Sequence, residues 1–487
     1  MFSLKVNLYT SKVLQDGIIC AKIKWDQINF YLIRKKRKIM KKNDIYTVEV
    51  TDLTNLGSGF ARIDNMAVFI SGAVDGDILE IKIIKVLSDY AIARIEKIIK
   101  PSEKRRTPSC PLFGKCGGCT FCNTTFEHEN EIKRSYVENA FRKAGIIASV
   151  EPTAAISETG YRCKVEYPFS KEGGVGLYKA RSHEVFETVA CERQHERISE
   201  VLPFLDSFFR ERVKSGKYTV YDEKTGKGLL RHLYLRYAKG TDSLMVCLVI
   251  NADSIREIEE IADALFERYP FVRSFVININ KKNTNVILGD KCRVVKGDEY
   301  VEDVILGNRF RFSPLSFCQI NHEGMELLYK KASELAEIGD NDRVCDLYCG
   351  VGTIGISLVS GKKNASLVGI EIIPDAVDNA NYNKEINNIE NASFICGNAD
   401  FSEVENSDVI IVDPPRKGCG AELIKRIAEI SPKRVVYVSC GPDSLARDCA
   451  IFKSYGFEIG KVYPVNMFPG TGHVESVVCL TRSDKAT

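Results

Sequence analysis

A chain of 487 residues has room for about three domains, each able to bury its own core. With 44% hydrophobic and 27% charged residues the composition is that of an ordinary globular protein, and a net charge of +3 leaves nucleic-acid affinity to local patches. No apolar run approaches the roughly 18 residues of a membrane helix and the N-terminus lacks a signal-peptide core, so membrane and secreted classes are set aside and a cytoplasmic protein is expected.

Seventeen cysteines is a high and odd number for a compartment in which disulfides rarely persist. Most are scattered among apolar residues and read as small buried hydrophobes; metal or catalytic duty is expected only where spacing asks for it. Residues 1–42 form an N-terminal extension with a basic run, Arg34-Lys35-Lys36-Arg37-Lys38, and a second methionine, Met40. A basic arm touching nucleic acid is one reading; the preferred one takes Met40 as the start and the residues before it as upstream sequence.

From Tyr46 the chain alternates in short segments: 46–50, 59–63, 67–70, 78–83 and 91–95, separated by Gly, Asn and Asp turns. Five strands in about fifty residues predict a small closed β-barrel of the OB type, a frequent binder of single-stranded nucleic acid. Lys97, Lys100, Lys104, Arg105 and Arg106 follow as a basic cluster suited to phosphates or to a solvated linker. Next, Cys110, Cys116 and Cys119 fall within a few residues, with Gly117 and Gly118 removing side chains between them. Thiolates so spaced suit zinc or an iron–sulfur centre and need a fourth ligand, either nearby Cys122 or remote Cys191. Residues 123–305 mix helices and strands; 130–144 reads as a charged amphipathic helix stopped by Gly145. Segments 161–167 and 230–237 interleave cations with aromatics, as a face that holds phosphates and stacks bases would.

The catalytic half turns on 343–355, an apolar strand, Asp346, and then Gly350, Gly352 and Gly355 in the G-x-G-x-x-G spacing of a nucleotide-binding turn. Glu371, at the end of the next apolar run, suits ribose hydroxyls. Asp346 favours the cationic amino group of S-adenosyl-L-methionine over a pyrophosphate. Asp400 suits an adenine amino group, and 409–413 is an apolar strand ending in Asp413-Pro414-Pro415. Ligands sit beyond the carboxyl ends of such strands, so Asp346, Glu371, Asp400 and Asp413 are expected to line one crevice. Cys440 follows strand 434–439 at the same edge, before a helix whose N-terminus favours thiolate. Glu475 opens the terminal strand. A thiolate adding to C6 of uracil makes C5 nucleophilic towards a methyl group, and a carboxylate can then take the C5 proton and release the thiolate. Gln319, a donor and acceptor on the loop 313–321, could read a pyrimidine edge.

Asp52 to Arg62 is similar to the TRAM domain of RNA-modifying enzymes. Cys110-x5-Cys-Gly-Gly-Cys119, Ser316-Phe-x-Gln319-x-Asn, Asp346 to Thr353, Asp413-Pro-Pro-Arg, Ser439-Cys440-Gly-Pro and Phe468-Pro-x-Thr-x-His-Val-Glu475 resemble the RNA uracil-5-methyltransferase family, in particular TRAM-bearing enzymes acting on large-subunit ribosomal RNA. The resemblance spans about residues 46–482. It implies Cys440 as nucleophile and Glu475 as base, and Gln319, Tyr348, Glu371 and Asp413 at the methyl donor; Asp346, Gly350 and Asp400 join them from their own chemistry. It also implies a [4Fe-4S] cluster on Cys110, Cys116, Cys119 and Cys191. Cys318 departs from the family, where an aromatic is common.

The expectation is thus a multidomain α/β protein: a TRAM barrel at 43–101, a central α/β RNA-binding domain with the cysteine cluster at 102–305, and a Rossmann-like methyltransferase domain at 306–487. It would flip a uridine out of ribosomal RNA, work as a monomer without an obligate protein partner, and use S-adenosyl-L-methionine. Transfer RNA is the alternative substrate. An amino-group RNA methyltransferase would leave Cys440 and Glu475 without purpose, as would a nicotinamide oxidoreductase, and a non-catalytic RNA-binding protein would not need the intact catalytic motifs.

Overall fold

The computed structural model describes residues 40–402 and 406–482. The basic run at 34–38 lies outside them. Among the described residues no helix is long and apolar enough to cross a membrane.

The N-terminal sheet closes as a six-stranded barrel in which Ile45–Glu49 pairs with Ile78–Val86, and Met66–Ser71 runs parallel to Tyr90–Lys100. Alternate residues point inward, so Val48, Val68, Ile70, Leu79, Ile81, Ile83, Ala91 and Ala93 form its core. A sixth strand, the two-residue Asp52–Leu53, is too short to show as alternation. The final strand runs to Lys100, so Lys97 and Lys100 belong to the barrel and not to a linker. The rest of the basic cluster is already paired. Lys104 meets Asp75 at 2.7 Å, Arg105 clasps Asp77 at 2.5 Å, and Arg106 forks onto Glu158 at 2.7 and 2.5 Å. These cations are spent on ion pairs within the protein instead of presenting a track for phosphates.

The expected helix is Phe126–Lys143, with Thr125 accepting from the His128 amide at its start and Gly145 left-handed after its end. Val137, Ala140 and Phe141 of this helix share a core with the Pro442–Ser454 helix far along the chain. Beyond it a five-stranded sheet carries Lys164–Pro168, Leu230–Ala238, Ser243–Ile250, Val272–Ile279 and Lys291–Gly297. Every residue of Leu230–Ala238 is buried, so its cations and aromatics are not an RNA face. Arg231 donates to the Asn280 and Lys282 carbonyls, and Arg236 to those of Ser313 and Ser316, which ties both guanidinium groups to carbonyls inside the protein.

The C-terminal sheet has seven strands in the order Ala392–Cys396, Ser366–Glu371, Arg343–Leu347, Val409–Val412, Arg434–Ser439, Glu475–Arg482, Phe457–Val465. The first five are parallel and the last two antiparallel. Helices cover both faces, which is why Val409–Val412 is apolar throughout: Val409 and Ile411 pack on one side, Ile410 and Val412 on the other. The strand order reverses beside Arg343–Leu347, and the crevice opens at that switch point.

Candidate active site

The glycine turn begins at Tyr348, whose φ of +63° is left-handed, a costly conformation for a residue with a side chain. Gly350 (+56°) and Gly352 (+81°) continue the reversal into the Thr353–Val359 helix. Gly355 is required for a different reason: a Cβ there would lie 2.8 Å from the Asp346 carboxylate, which accepts the Gly355 amide at 2.9 Å. Asp346 is fully buried and its other oxygen has no partner among the described residues. Burial pushes its carboxyl up to about 8, against the Gly355 amide and with help from Asp413 and Glu371. Glu371 accepts from the amides of Gly350 (3.1 Å) and Ile373 (2.9 Å), and Tyr348 donates to Asp400 at 2.6 Å. Asp346 is thus within electrostatic reach of Asp413 and Glu371, and Asp400 is tied to the glycine turn through Tyr348. An unpaired buried carboxylate oxygen beside a strained glycine turn fits a donor carrying a cationic amino group.

Cys440 and Glu475 come from neighbouring antiparallel strands whose last pair is Ser439 with Ser476. Cys440 directly follows the last residue of one strand and Glu475 is the first residue of the other, and the Glu475 carboxylate acts on the Cys440 thiol through space. Glu475 is 2% exposed, and burial, with Asp413 adding, pushes it up to about 8. Burial also brings Asp413 up to about 7. The Cys440 thiol goes up to about 11, through burial first and then the Glu475 and Asp413 carboxylates. This runs against the expectation of a thiol drawn down by the Pro442–Ser454 helix: burial and two acids raise it. Arg416 opposes both shifts, lowering Cys440 and Glu475. It stands in the Asp-Pro-Pro-Arg motif, but the motif alone assigns it no part because its effect depends on strands brought together in space. Behind it the buried Asp448 carboxylate accepts from the Cys419 amide (2.7 Å) and the Tyr437 hydroxyl (2.6 Å), fixing the loop after Pro415.

The tRNA (uracil-5-)-methyltransferase family matches residues 283–483, and the TRAM domain matches residues 41–95. An uncharacterized RNA methyltransferase of Halalkalibacterium halodurans is 37% identical over 458 residues, covering 92% of this chain and 99% of the relative. Another, from Caldanaerobacter subterraneus, is 37% identical over 454 residues, covering 91% and 99%. The chain belongs to the RNA (uracil-5-)-methyltransferase family. In structure it is similar to the Pyrococcus abyssi tRNA (uracil-54, C5)-methyltransferase in complex with S-adenosyl-L-homocysteine, with a TM-score of 0.72, 25% identity, and coverage of 89% of this chain and 99% of that one. It is an S-adenosylmethionine-dependent RNA methyltransferase with a TRAM domain.

In this methyltransferase the loop carrying Gln319 is held from the central sheet. Arg236 donates to the Ser313 and Ser316 carbonyls, while the Ser313 hydroxyl donates to Asp375 at 2.6 Å. Gln319 is buried beside Cys318, and Phe317 between the loop's anchors is 66% exposed. The cysteine loop is less simple than its spacing. Cys116 lies within electrostatic reach of Cys191 and Cys110, but Cys119 hydrogen-bonds Cys122, whose sulfur also takes a bond from Arg193 at 3.2 Å. Among the described residues no three or more His, Cys, Asp or Glu side chains are grouped as metal ligands, so the expected four-thiol set is not gathered here.

Proposed function

We propose that this enzyme methylates C5 of a uridine through a covalent adduct on Cys440, with Glu475 as the base that resolves it. One observation carries the reading: Ser439, just before Cys440, pairs with Ser476, just after the buried Glu475, and the Glu475 and Asp413 carboxylates both act on the Cys440 thiol. S-adenosyl-L-methionine, when bound, supplies the methyl group; Asp346, Glu371, Asp400 and Asp413, with Gln319, Tyr348 and Gly350, hold it. The Cys440 thiol gives its proton to solvent and the sulfur bonds to C6, which leaves an enolate. C5 takes the methyl group as the bond from that methyl to the donor's sulfonium sulfur breaks, Glu475 takes the C5 proton, and the C6–sulfur bond breaks to return the thiolate. A carboxyl near pH 8 has proton affinity enough to accept that proton, and Arg416 limits the charge that builds up around Cys440 and Glu475.

Ribosomal RNA of the large subunit is the proposed substrate, on the joint resemblance of barrel, cysteine loop and catalytic motifs. Transfer RNA is the second reading, favoured by likeness to the archaeal uracil-54 enzyme over nearly its whole length. Incubation of both RNAs with isotope-labelled donor, followed by nucleoside mass spectrometry, tests this: labelled 5-methyluridine in one pool names the substrate, and label on an exocyclic amine rejects the reaction. Cys110, Cys116, Cys119 and Cys191 are proposed to hold an iron–sulfur cluster with a structural role, supported by the proximity of Cys116 to Cys110 and Cys191. Anaerobically purified protein should contain iron and acid-labile sulfide, and Cys191→Ser should lose both; zinc without sulfide would reject the cluster. The divisions at 43–101, 102–305 and 306–487, a cytoplasmic location and a monomeric state are part of the same proposal.

A further inference from the structure

Far from the crevice mouth, in sequence if not in space, Glu129 and Lys133 form an ion pair at 2.7 Å on the Phe126–Lys143 helix. Both side chains are 1% exposed. Taking two charges out of water is costly, so the pair alone is weak evidence of a stabilising role. What distinguishes it is where its remaining hydrogen bonds go.

Both ends are directed at one stretch of chain, 466–470, which leads through 471–474 to Glu475. Both Glu129 oxygens accept from the Gly470 amide, at 2.9 and 3.0 Å. Lys133 donates to the Phe468 carbonyl at 3.1 Å and to the Asn466 side chain at 2.5 Å, and Asn466 returns a bond to Glu129 at 3.1 Å. The other carbonyls of the stretch are taken too: Met467 by Asn321 (3.1 Å), Pro469 by the Tyr161 hydroxyl (2.9 Å), and Gly470 by the Thr120 and Phe121 amides (2.6 and 3.0 Å). Thr120 and Phe121 directly follow Cys119. The Thr471 hydroxyl then bonds Phe468 and receives the His473 amide, which leaves little freedom before Glu475.

We propose that Glu129 and Lys133 are positioning residues that fix the conformation of 466–470 and thereby aim Glu475 at the carbon it deprotonates. The inference rests on the reading of Glu475 as the resolving base. Loss of aim slows resolution more than adduct formation, because Cys440 is carried by a different strand.

The test is single-turnover reaction with unmodified RNA and donor, following the covalent protein–RNA band on denaturing gels and the release of 5-methyluridine. Glu129→Gln/Lys133→Met removes both charges together and leaves no lone buried ion. Glu129→Asp keeps both charges and withdraws the carboxylate from Gly470, which gives a second variant should the double one not fold. Either variant should form the adduct at the wild-type rate and resolve it about 10- to 100-fold more slowly, so that the band accumulates. A merely structural pair would lower the melting temperature and leave resolution unchanged, and that result overturns the proposal. Glu475→Gln separates the two claims. If it accumulates adduct and the pair variants do not, only the positioning role falls; if it resolves normally, the base assignment falls and the inference with it.

Discussion

Cys440 follows the last residue of one strand and Glu475 opens the antiparallel strand paired with it, so the ladder pair Ser439–Ser476 adjoins both, and the Glu475 carboxylate raises the Cys440 thiol. Both ionise late, because each is buried and both see the charge of Asp413.

Ionisation of Glu475 sets the acid limb of activity. Glu475 and the Cys440 thiol must both be deprotonated, so kcat/KM should climb steeply with pH until about 8 and less steeply from there towards about 11. Arg416→Gln removes the cation that lowers both Cys440 and Glu475, and its limb should move to higher pH. Rate profiles of the two proteins check this; superimposable limbs would count against the assignment. Glu475→Gln should lose about 10²- to 10⁴-fold in turnover at any pH.

Stability should move the other way. Asp346 is raised from 3.8 to about 8, so the folded chain binds its proton more tightly than the unfolded one. Such a group stabilises fully below its unfolded value, and that contribution is lost as pH rises through the folded one. The shift corresponds to a few kcal/mol, on the order of 1.4 per pH unit. Melting temperature without donor should fall between about pH 4 and pH 8 in wild type, and Asp346→Asn should flatten the fall. Parallel curves would mean that Asp346 does not carry the dependence.

Asp346→Asn also keeps the shape of the buried group while removing its charge. If the unpaired oxygen receives the donor's amino group, S-adenosyl-L-homocysteine should bind about 10-fold or more weakly, which is the cost of roughly 1.5–3 kcal/mol for a bond to a charged partner. Titration calorimetry reads it directly.

Arg236→Met should destabilise the chain by about 3 kcal/mol, since it strands the Ser313 and Ser316 carbonyls in the interior. Denaturant unfolding gives the figure. The same variant frees the Gln319 loop, so donor binding should weaken along with stability.

Much of the catalytic half is readable from local pattern. The Val409–Val412 strand is apolar because helices cover both faces, and the glycines after Asp346 are spaced by the turn they make. The readings that fail depend on partners distant in sequence. Arg231 and Arg236 look like an exposed cationic face, yet Asn280, Lys282, Ser313 and Ser316 take their bonds indoors. Lys104, Arg105 and Arg106 look free for phosphate until Asp75, Asp77 and Glu158 meet them. The Cys440 thiol looks activated by its helix because nothing local shows that two buried acids face it. Glu129 and Lys133 resemble an ordinary helical i,i+4 pair, and only contact with residues more than 300 positions away gives them another meaning.

The most direct test of the covalent mechanism uses RNA in which the target uridine carries fluorine at C5. Fluorine cannot leave as a proton, so Glu475 has nothing to remove and the adduct cannot resolve. With donor present, mass spectrometry should find wild-type protein linked through Cys440 to one methylated nucleotide, and Cys440→Ala should give no linkage. Methylation of ordinary uridine at C5 with no adduct on the fluorinated RNA, or an adduct that survives Cys440→Ala, would contradict it.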